Sequence, residues 1–269
     1  MKMSRLAAFS SSLLLGAVLA LTGAATASAA QSVQGVGYVA LGDSYSSGVG
    51  SGSYDSASGD CKRSSKAYPA LWAAAHAPSS FAFAACSGAK TGDVKSGQLG
   101  SLNSSTGLVS ISIGGNDAGF SDVMTTCVLQ SEATCLDRIA TARSYVGSTL
   151  PGNLDSVYSA IQAKAPSARV VVLGYPRFYK IGGSCVVGLS DKVRSAINDA
   201  ADYLNTTTAK RAADHGFTFV DVAGRFAGHE ICSGDAWLHS VNWLNIGESY
   251  HPTAAGQSSG YLPAFNSAA

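Results

Sequence analysis

Residues 35–48 read GVGYVALGDSYSSG, and this stretch decides the fold predicted for the chain. Its first half, 35–41, is a short apolar run typical of a buried strand, and Gly42 ends the run at a turn. Ser44 then lies at the carboxyl end of that strand. In parallel α/β sheets the carboxyl ends of the strands are where binding and catalytic residues gather. We therefore look for functional residues here and after the neighbouring strands.

Four further segments have the β-branched and aromatic composition of strands, and segments of helical length separate them. The predicted strands are 35–41, 81–86, 108–113, 169–173 and 217–222. The predicted helices are 67–76, a stretch near 118–128, one or two helices within 136–165, and 191–214. This alternation predicts an α/β fold, a three-layer α/β/α sandwich with a mainly parallel five-stranded sheet. The Ser/Gly-rich stretch 46–59 is expected to be a surface loop within one domain.

Candidate site residues follow the first three predicted strands. Ser44 could be a capping serine in an ordinary turn, or a hydroxyl placed beside the unpaired N–H groups of a helix start. Gly88 could be a turn glycine, or could bring a backbone N–H close to a substrate. Asn116 could point its side-chain amide into the same crevice, or could cap a helix, a role that suits Asp117 better. The surrounding motifs have to decide between these roles.

His251 lies in ESYHP, residues 248–252, just before a C-terminal helical stretch. A single histidine is more often structural than catalytic, so its position alone predicts little. The other four histidines have no motif around them and are interpreted as structural: His76, His215, His229 and His239.

In chain order, GDSYSSGVG at 42–50, CSGA at 86–89, GGND at 114–117 and ESYHP at 248–252 resemble the SGNH hydrolases, also called GDSL esterases and lipases. The resemblance covers essentially the whole chain after residue 30, and the N-terminal segment, six cysteines and length are similar to the secreted Streptomyces lipases of that family. It implies a flavodoxin-like SGNH hydrolase fold. It also implies a carboxylic-ester hydrolase acting on acylglycerols and other fatty-acid esters.

Carried over to this sequence, the resemblance implies that Ser44 is the nucleophile and that His251 is the general base and acid. The backbone N–H groups of Ser44 and Gly88 and the side chain of Asn116 would form the oxyanion hole. Many family members carry Asp three residues before the histidine, whereas this chain has Glu248. Glu248 could orient the imidazole, a backbone carbonyl near Ser249 could do so, or Glu248 could be a solvated loop residue. We favour the carbonyl, because the glutamate side chain would have to fold back to reach Nδ1.

The first thirty residues have the form of a secretory signal peptide, with Lys2 and Arg5 before an apolar run at 13–21 and small residues at 27–29. Neither this run nor any later stretch is long enough to span a bilayer. Loss of the first thirty residues removes Lys2 and Arg5 from the 18 basic residues. The remaining 16 basic against 17 acidic residues leave almost no net charge, which argues against nucleic-acid binding. We expect a secreted, monomeric protein with one catalytic domain at 31–269 and no stable membrane insertion.

All six cysteines follow this segment, and in an oxidising compartment an even number predicts three disulfides. About fifteen pairings are possible. We favour Cys61–Cys86, Cys127–Cys135 and Cys185–Cys232, because neighbour pairing closes three loops that do not overlap. The sequence has no CxxC and no histidine pair at ligand spacing near a cysteine, so no metal is predicted, and the implied mechanism needs no cofactor.

The same sequence bears on three alternative functions. GQSSG at 256–260 matches the G-x-S-x-G nucleophile elbow, but no strand precedes it and no Asp, Glu or His follows it. A phospholipase or a polysaccharide acetyl esterase would share the proposed site, since the motifs specify the chemistry and the pocket walls specify the acyl chain. A secreted binding module without catalysis would be expected to have lost Ser44, Asn116 or His251, and all three are present.

Overall fold

Five strands form the central sheet of the computed structural model, which describes residues 35–185 and 188–269. In chain order they are β1 Gly37–Gly42, β2 Ser80–Phe83, β3 Thr106–Ser112, β4 Arg169–Leu173 and β5 Thr218–Val220. Their spatial order is β2-β1-β3-β4-β5, and neighbouring strands run parallel. The predicted α/β fold is confirmed. Each strand overlaps its predicted segment, and β4 coincides with it.

Eight α-helical segments of the described residues connect or flank the strands. They are α1 Ser44–Ser47, α2 Tyr68–His76, α3 Thr91–Asp93, α4 Phe120–Leu129, α5 Glu132–Ser148, α6 Leu150–Lys164, α7 Asp191–Asp214 and α8 Leu262–Asn266. Short 3₁₀ turns occur at Ser56–Cys61, Leu99–Ser101, Ala223–Phe226 and Ile246–Glu248, and π-helical turns at Val94–Gln98 and Gly256–Tyr261. Two helices, α5 and α6, occupy the segment for which one or two were predicted. No helix in the described part of the chain has the length and apolar character needed to cross a membrane.

The strand order places the helices on both faces of the sheet. From β1 the chain moves outward to β2, and from β2 it crosses back to β3 and continues to β4 and β5. Because such crossovers are right-handed, the reversal puts the β1–β2 connection on one face and the later connections on the other. The helix contacts agree with this division between the two faces. On one side α2 packs on α8, and on the other α5, α6 and α7 pack on one another. Ligand sites of this fold lie at the reversal, outside the carboxyl ends of β1 and β3.

Aromatic side chains tie the C-terminal helix to the first strand. Tyr38 of β1 is fully buried, and its ring lies 5.0 Å from that of Trp72 and 5.5 Å from that of Phe265. The Tyr38 hydroxyl is paired with Ser110 Oγ at 2.7 Å, so its burial leaves no polar group unsatisfied. This packing holds the chain after His251 against the sheet.

Three disulfides join cysteines that are neighbours in sequence: Cys61–Cys86, Cys127–Cys135 and Cys185–Cys232. Cys61–Cys86 links the loop after α1 to the loop after β2. It therefore connects the segments that carry Ser44 and Gly88. The predicted signal peptide at 1–30 lies outside the described residues.

The prediction that 46–59 is a surface loop is wrong in its first part. Residues 46–51 are all buried, and only from residue 52 onward does the segment become largely exposed. The serines of this part are buried because their hydroxyls find partners: Ser46 Oγ lies 2.7 Å from Ser112 Oγ, and Ser51 Oγ donates to Gly48 O at 2.6 Å. Composition alone gave no sign of these partners.

Candidate active site

The loops after three neighbouring strands meet at the carboxyl edge of the sheet. β1 is followed by Ser44, β2 by Gly88 and β3 by Asn116. Backbone hydrogen bonds join the loops, because the N–H of Asp43 donates to Ser112 O and the N–H of Cys86 donates to Gly42 O, both at 3.0 Å. The strand order thus brings together residues that are far apart in the sequence.

Ser44 is the first residue of the short helix α1, and its side chain is almost fully buried. Asp43 caps this helix by accepting from the N–H of Tyr45 at 3.0 Å. At the other end Gly48 adopts φ 87°, a left-handed conformation that favours glycine, and its N–H donates to Ser44 O. The helix therefore fixes the direction of the Ser44 hydroxyl with a cap at each end.

His251 contacts the Ser44 hydroxyl, 207 residues away in sequence: Nε2 lies 2.7 Å from Ser44 Oγ. The other ring nitrogen, Nδ1, lies 2.9 Å from Ser249 O. Because a carbonyl can only accept, Nδ1 carries the proton and Nε2 is free to accept from the serine. Desolvation lowers the pKa of His251 to about 4, and the hydrogen bonds to the backbone at Ser249 and Glu248 offset only part of this effect. The imidazole is therefore neutral at neutral pH.

Among the hydrogen bonds of the described residues, none joins the Glu248 carboxylate to the imidazole. Glu248 Oε1 accepts a hydrogen bond from the hydroxyl of Tyr54 at 2.7 Å, and Nδ1 of His251 is occupied by the Ser249 carbonyl. Of the three roles considered from the sequence, the geometry supports the carbonyl. The Ser249 carbonyl lies only two residues before His251 and is already at hydrogen-bonding distance from Nδ1, so the ring needs no side chain to orient it.

The segment that carries His251 is held against the loop after α1 at several points. His239 Nε2 lies 2.7 Å from Gly50 O, and the hydroxyl of Tyr45 donates to Tyr250 O at 2.6 Å. Tyr250 itself adopts φ 67°, a strained conformation for a residue with a side chain. An ideal Cβ on Gly50 would lie 2.7 Å from Pro252 O and 3.0 Å from His251 Cβ, so only glycine fits there.

Asn116 is oriented by the loop that contains Gly88, because its Nδ2 donates to Ala89 O at 3.0 Å. Among the hydrogen bonds of the described residues, neither the N–H of Ser44 nor that of Gly88 has an acceptor. The suggestion that Asp117 caps the next helix is wrong, because Gly119 occupies the N-cap of α4. The Asp117 carboxylate instead accepts from the N–H and hydroxyl of Thr91, which fastens the two loops together.

Asp43 lies at the centre of a buried network that the sequence analysis did not identify. One carboxylate oxygen accepts from Ser112 Oγ at 2.7 Å, and the other accepts from the hydroxyl of Tyr175. Burial raises the pKa of Asp43 to about 6, and the hydrogen bonds from Tyr175, Ser112 and Tyr45 limit the rise. Tyr175 lies just beyond the carboxyl end of β4, after Gly174, so the rule that selected residues after the first three strands would also have found it.

Gln98 was also missed. Its side-chain amide makes two hydrogen bonds to the backbone of Gly42. Oε1 accepts from the Gly42 N–H and Nε2 donates to the Gly42 carbonyl, both at 2.8 Å. Gly42 adopts φ 122°, and an ideal Cβ there would lie 2.5 Å from Ser112 O. Gln98 lies in a Gly-rich segment 56 residues from Gly42, and no pattern in the sequence marks it.

A cavity of about 70 Å³ begins at Ser44 and Asn116 and runs between the helices α4, α5 and α7. Its walls beyond the polar end are mostly apolar: Val123 and Met124 of α4, Ile139 and Ala142 of α5, and Ala201 and Leu204 of α7 line it. The cavity has the composition of a pocket for an apolar group. Among the described residues, no cluster of three or more His, Cys, Asp or Glu is placed to hold a metal ion.

Comparison with known proteins gives consistent relatives. Residues 40–258 match the model of the GDSL-like lipase/acylhydrolase family. The chain is 72% identical to Lipase 1 of Streptomyces coelicolor over 269 residues, which is 100% of both chains. It is similar to the crystal structure of phospholipase A1 from Streptomyces albidoflavus, with 70% identity and a TM-score of 0.86, covering 87% of this chain and 100% of that one. It is also similar to the extracellular lipase of Streptomyces rimosus, with 68% identity, a TM-score of 0.85 and the same coverage.

Proposed function

The chain belongs to the GDSL-like lipase/acylhydrolase family and is an ester hydrolase, and we propose that it cleaves fatty-acid esters through an acyl-enzyme on Ser44. The observation that carries the proposal is the pair of contacts made by His251. Its Nε2 lies 2.7 Å from Ser44 Oγ, and its Nδ1 is held by Ser249 O. A neutral imidazole in this orientation is a general base aimed at a serine hydroxyl.

In the proposed reaction, Ser44 Oγ attacks the ester carbonyl while its proton moves to Nε2 of His251. The tetrahedral intermediate collapses when the imidazolium returns that proton to the leaving alcohol, which leaves an acyl-Ser44 ester. Water then attacks this ester, His251 again takes and returns the proton, and the carboxylic acid leaves. The Ser249 carbonyl holds the Nδ1 proton throughout, so the site acts as a Ser-His dyad with a backbone acceptor.

We propose that the oxyanion is stabilised by the N–H groups of Ser44 and Gly88 and by the amide of Asn116. Support comes from the two backbone donors having no acceptor among the described residues, and from the contact that fixes the Asn116 amide beside the Gly88 loop. Donors already in place need no reorganisation as charge develops. Removal of one such donor typically costs about 3–4 kcal/mol.

The acyl chain is proposed to lie in the apolar cavity between α4, α5 and α7. The cavity starts at the nucleophile, so an acyl group bound to Ser44 would extend directly into it. Ala201→Leu fills part of this space and should shift the preference of the enzyme toward shorter acyl chains. Ala213→Leu, at an exposed position of the same helix, is the matched control and should leave the chain-length profile unchanged. Equal profiles for the two variants would contradict the pocket assignment.

Acylglycerols are the first proposed substrate class, supported by 72% identity to a protein named Lipase 1. Phospholipids are a second, favoured by 70% identity to a protein named phospholipase A1. Initial rates on triacylglycerol and phosphatidylcholine emulsions, measured side by side, would distinguish the two. A polysaccharide acetyl ester requires no long apolar pocket, and the cavity gives it no support.

We also propose that the protein is secreted as one catalytic domain after loss of its first thirty residues. Support comes from the signal-like sequence, from the three disulfides and from the likeness to the extracellular lipase of Streptomyces rimosus. Mass spectrometry of the protein from culture medium would give its N-terminus. An N-terminus at residue 1 would contradict this proposal.

The central test is labelling with a fluorophosphonate, which reacts with activated serines. The probe should attach to Ser44, and Ser44→Ala should abolish both labelling and hydrolysis of a p-nitrophenyl ester. Ser65→Ala, an exposed serine, is the control and should keep both. Hydrolysis that persists in Ser44→Ala would mean that another residue is the nucleophile.

A further inference from the structure

A groove of about 400 Å³ lies on the surface beside the proposed active site, and its walls end in exposed apolar side chains. His251 and Ser249 form part of the groove, α4 forms one wall, and the segment 241–247 forms the other. Leu129 at the end of α4 is 62% exposed, and on the opposite wall Trp243 is 65% and Ile246 63% exposed. We call Leu129, Trp243, Leu244 and Ile246 the apolar rim.

Leu244 is the most exposed residue of the rim. Its relative exposure is 101%, and it does not line the groove, so its side chain points away from the protein into solvent. Leaving leucine, isoleucine and tryptophan together in water is unfavourable, and such clusters usually mark a surface that is covered in use. The chain thus has an apolar rim that its own fold does not bury.

The rim is also free of charge. Residues 236–247 contain no Asp, Glu, Lys or Arg, although 13% of the chain is charged. A cation, Lys62, lies at the edge of the rim, where its Nζ would be 3.4 Å from a Cβ on Gly247. Apolar side chains that include a tryptophan and have a lysine at their edge match the layer where acyl chains meet lipid headgroups.

We propose that the apolar rim docks the enzyme on the surface of aggregated uncharged or zwitterionic lipid, with Leu244 entering the acyl layer. The proposal rests on the proposed function, since it explains how an ester leaves a lipid surface and reaches Ser44. The groove provides the path, because it opens between the walls of the rim and includes His251. A lipid surface without net charge suits a rim that carries none, so docking depends on apolar burial rather than on charge attraction.

The test measures partition onto phosphatidylcholine vesicles, using the full chain with Ser44→Ala so that the lipid is not consumed. Adding Leu244→Ser should weaken partition at least about tenfold, because the leucine side chain no longer enters the acyl layer. Adding Leu129→Ser on the other wall should also weaken it. Ile181→Ser is the matched control, since Ile181 is 50% exposed but does not line the groove, and it should leave partition unchanged. Raising the salt concentration should have little effect.

A second measurement separates this proposal from the function on which it rests. In the chain with Ser44 intact, Leu244→Ser should hydrolyse a dissolved short-chain p-nitrophenyl ester at the parent rate, which also shows that the variant is folded. Partition that Leu244→Ser leaves unchanged would overturn the docking proposal and leave the catalytic one standing. A dimer that forms in light scattering and is lost in Leu244→Ser would overturn it in favour of a second copy. Hydrolysis by Ser44→Ala would instead overturn the catalytic assignment.

Discussion

Gly50→Ala should damage catalysis without any change to a catalytic residue. Gly50 adopts φ 89°, and its carbonyl is bound by His239. A Cβ at this position would lie 2.7 Å from Pro252 O and 3.0 Å from His251 Cβ. The 251–252 backbone must therefore retreat by several tenths of an ångström, and this displacement also moves the imidazole away from Ser44.

The expected size follows from two separate effects. Gly50 and Gly52 both have a positive φ, and alanine in the left-handed region costs about 1–2 kcal/mol of stability at either position. Gly52 has φ 70°, but no heavy atom lies within 4 Å of the point that a Cβ would occupy there, so Gly52→Ala carries only this cost. Gly50→Ala adds the steric overlap, about 1–3 kcal/mol. Since a misplacement of about 1 Å at a reacting group can cost about a hundredfold in rate, kcat should fall about 10- to 100-fold in Gly50→Ala alone.

The assay compares kcat and KM for a p-nitrophenyl ester, the rate of fluorophosphonate labelling, and the thermal unfolding midpoint of both variants. Both midpoints should fall, that of Gly50→Ala further. Labelling should slow only in Gly50→Ala, because that reaction also depends on activation of Ser44 by His251. If both variants kept the parent kcat, the close approach of Gly50 would have no part in placing His251, and the reasoning would be refuted.

Three further predictions concern the reacting groups. Glu248→Gln should keep kcat within a few fold of the parent, because Glu248 Oε1 accepts from Tyr54 and a glutamine oxygen can do the same; a loss of several orders of magnitude with the fold intact would instead make Glu248 the residue that orients His251. Asn116→Ala should lower kcat about 10²- to 10³-fold with little change in thermal stability, whereas Asn103→Ala, in a surface turn, should leave kcat at the parent value. The His251 imidazole should titrate near pH 4, because burial lowers its pKa to about 4, and NMR of its ring protons would follow this titration separately from that of Asp43; a midpoint near the ordinary histidine pKa would contradict this.

The sequence predicted the sheet well because buried parallel strands leave a strong local pattern. The run RVVVL has apolar β-branched residues throughout its interior, and β4 has the bounds expected from it. The helix α7 also has the predicted bounds, 191–214, because Val193, Ile197 and Leu204 keep helical spacing along it. These features depend on residues close in sequence, which is why the sequence alone suffices.

The parts of the site that were missed depend on contacts distant in sequence. Gln98 binds Gly42 across 56 residues, and Tyr175 binds Asp43 across 132. Likewise, the sequence of 46–51 is typical of a solvated loop because of its serines. The structure shows that one of them, Ser46, is buried and hydrogen-bonded to Ser112. The quoted motifs contain the residues placed at the reacting centre, whereas Gln98, which holds Gly42 in place, belongs to none of them. Gln98 is identified only by its partner, and the fold supplies that partner, whereas Tyr175 could have been found from its place after β4.

The choice of a carbonyl rather than a carboxylate as the partner of His251 has a chemical consequence. A carboxylate on Nδ1 would stabilise the imidazolium and raise the pKa of His251. The Ser249 carbonyl orients the ring with a weaker effect on its charge, so desolvation prevails and the pKa falls to about 4. The proposed base, His251, is therefore unprotonated over a wide pH range, but a low pKa also makes it accept the proton of Ser44 less readily. In the proposed mechanism, stabilisation of the oxyanion then supplies a larger share of the rate, so we expect the position of Asn116 to matter more for catalysis than the charge of Glu248.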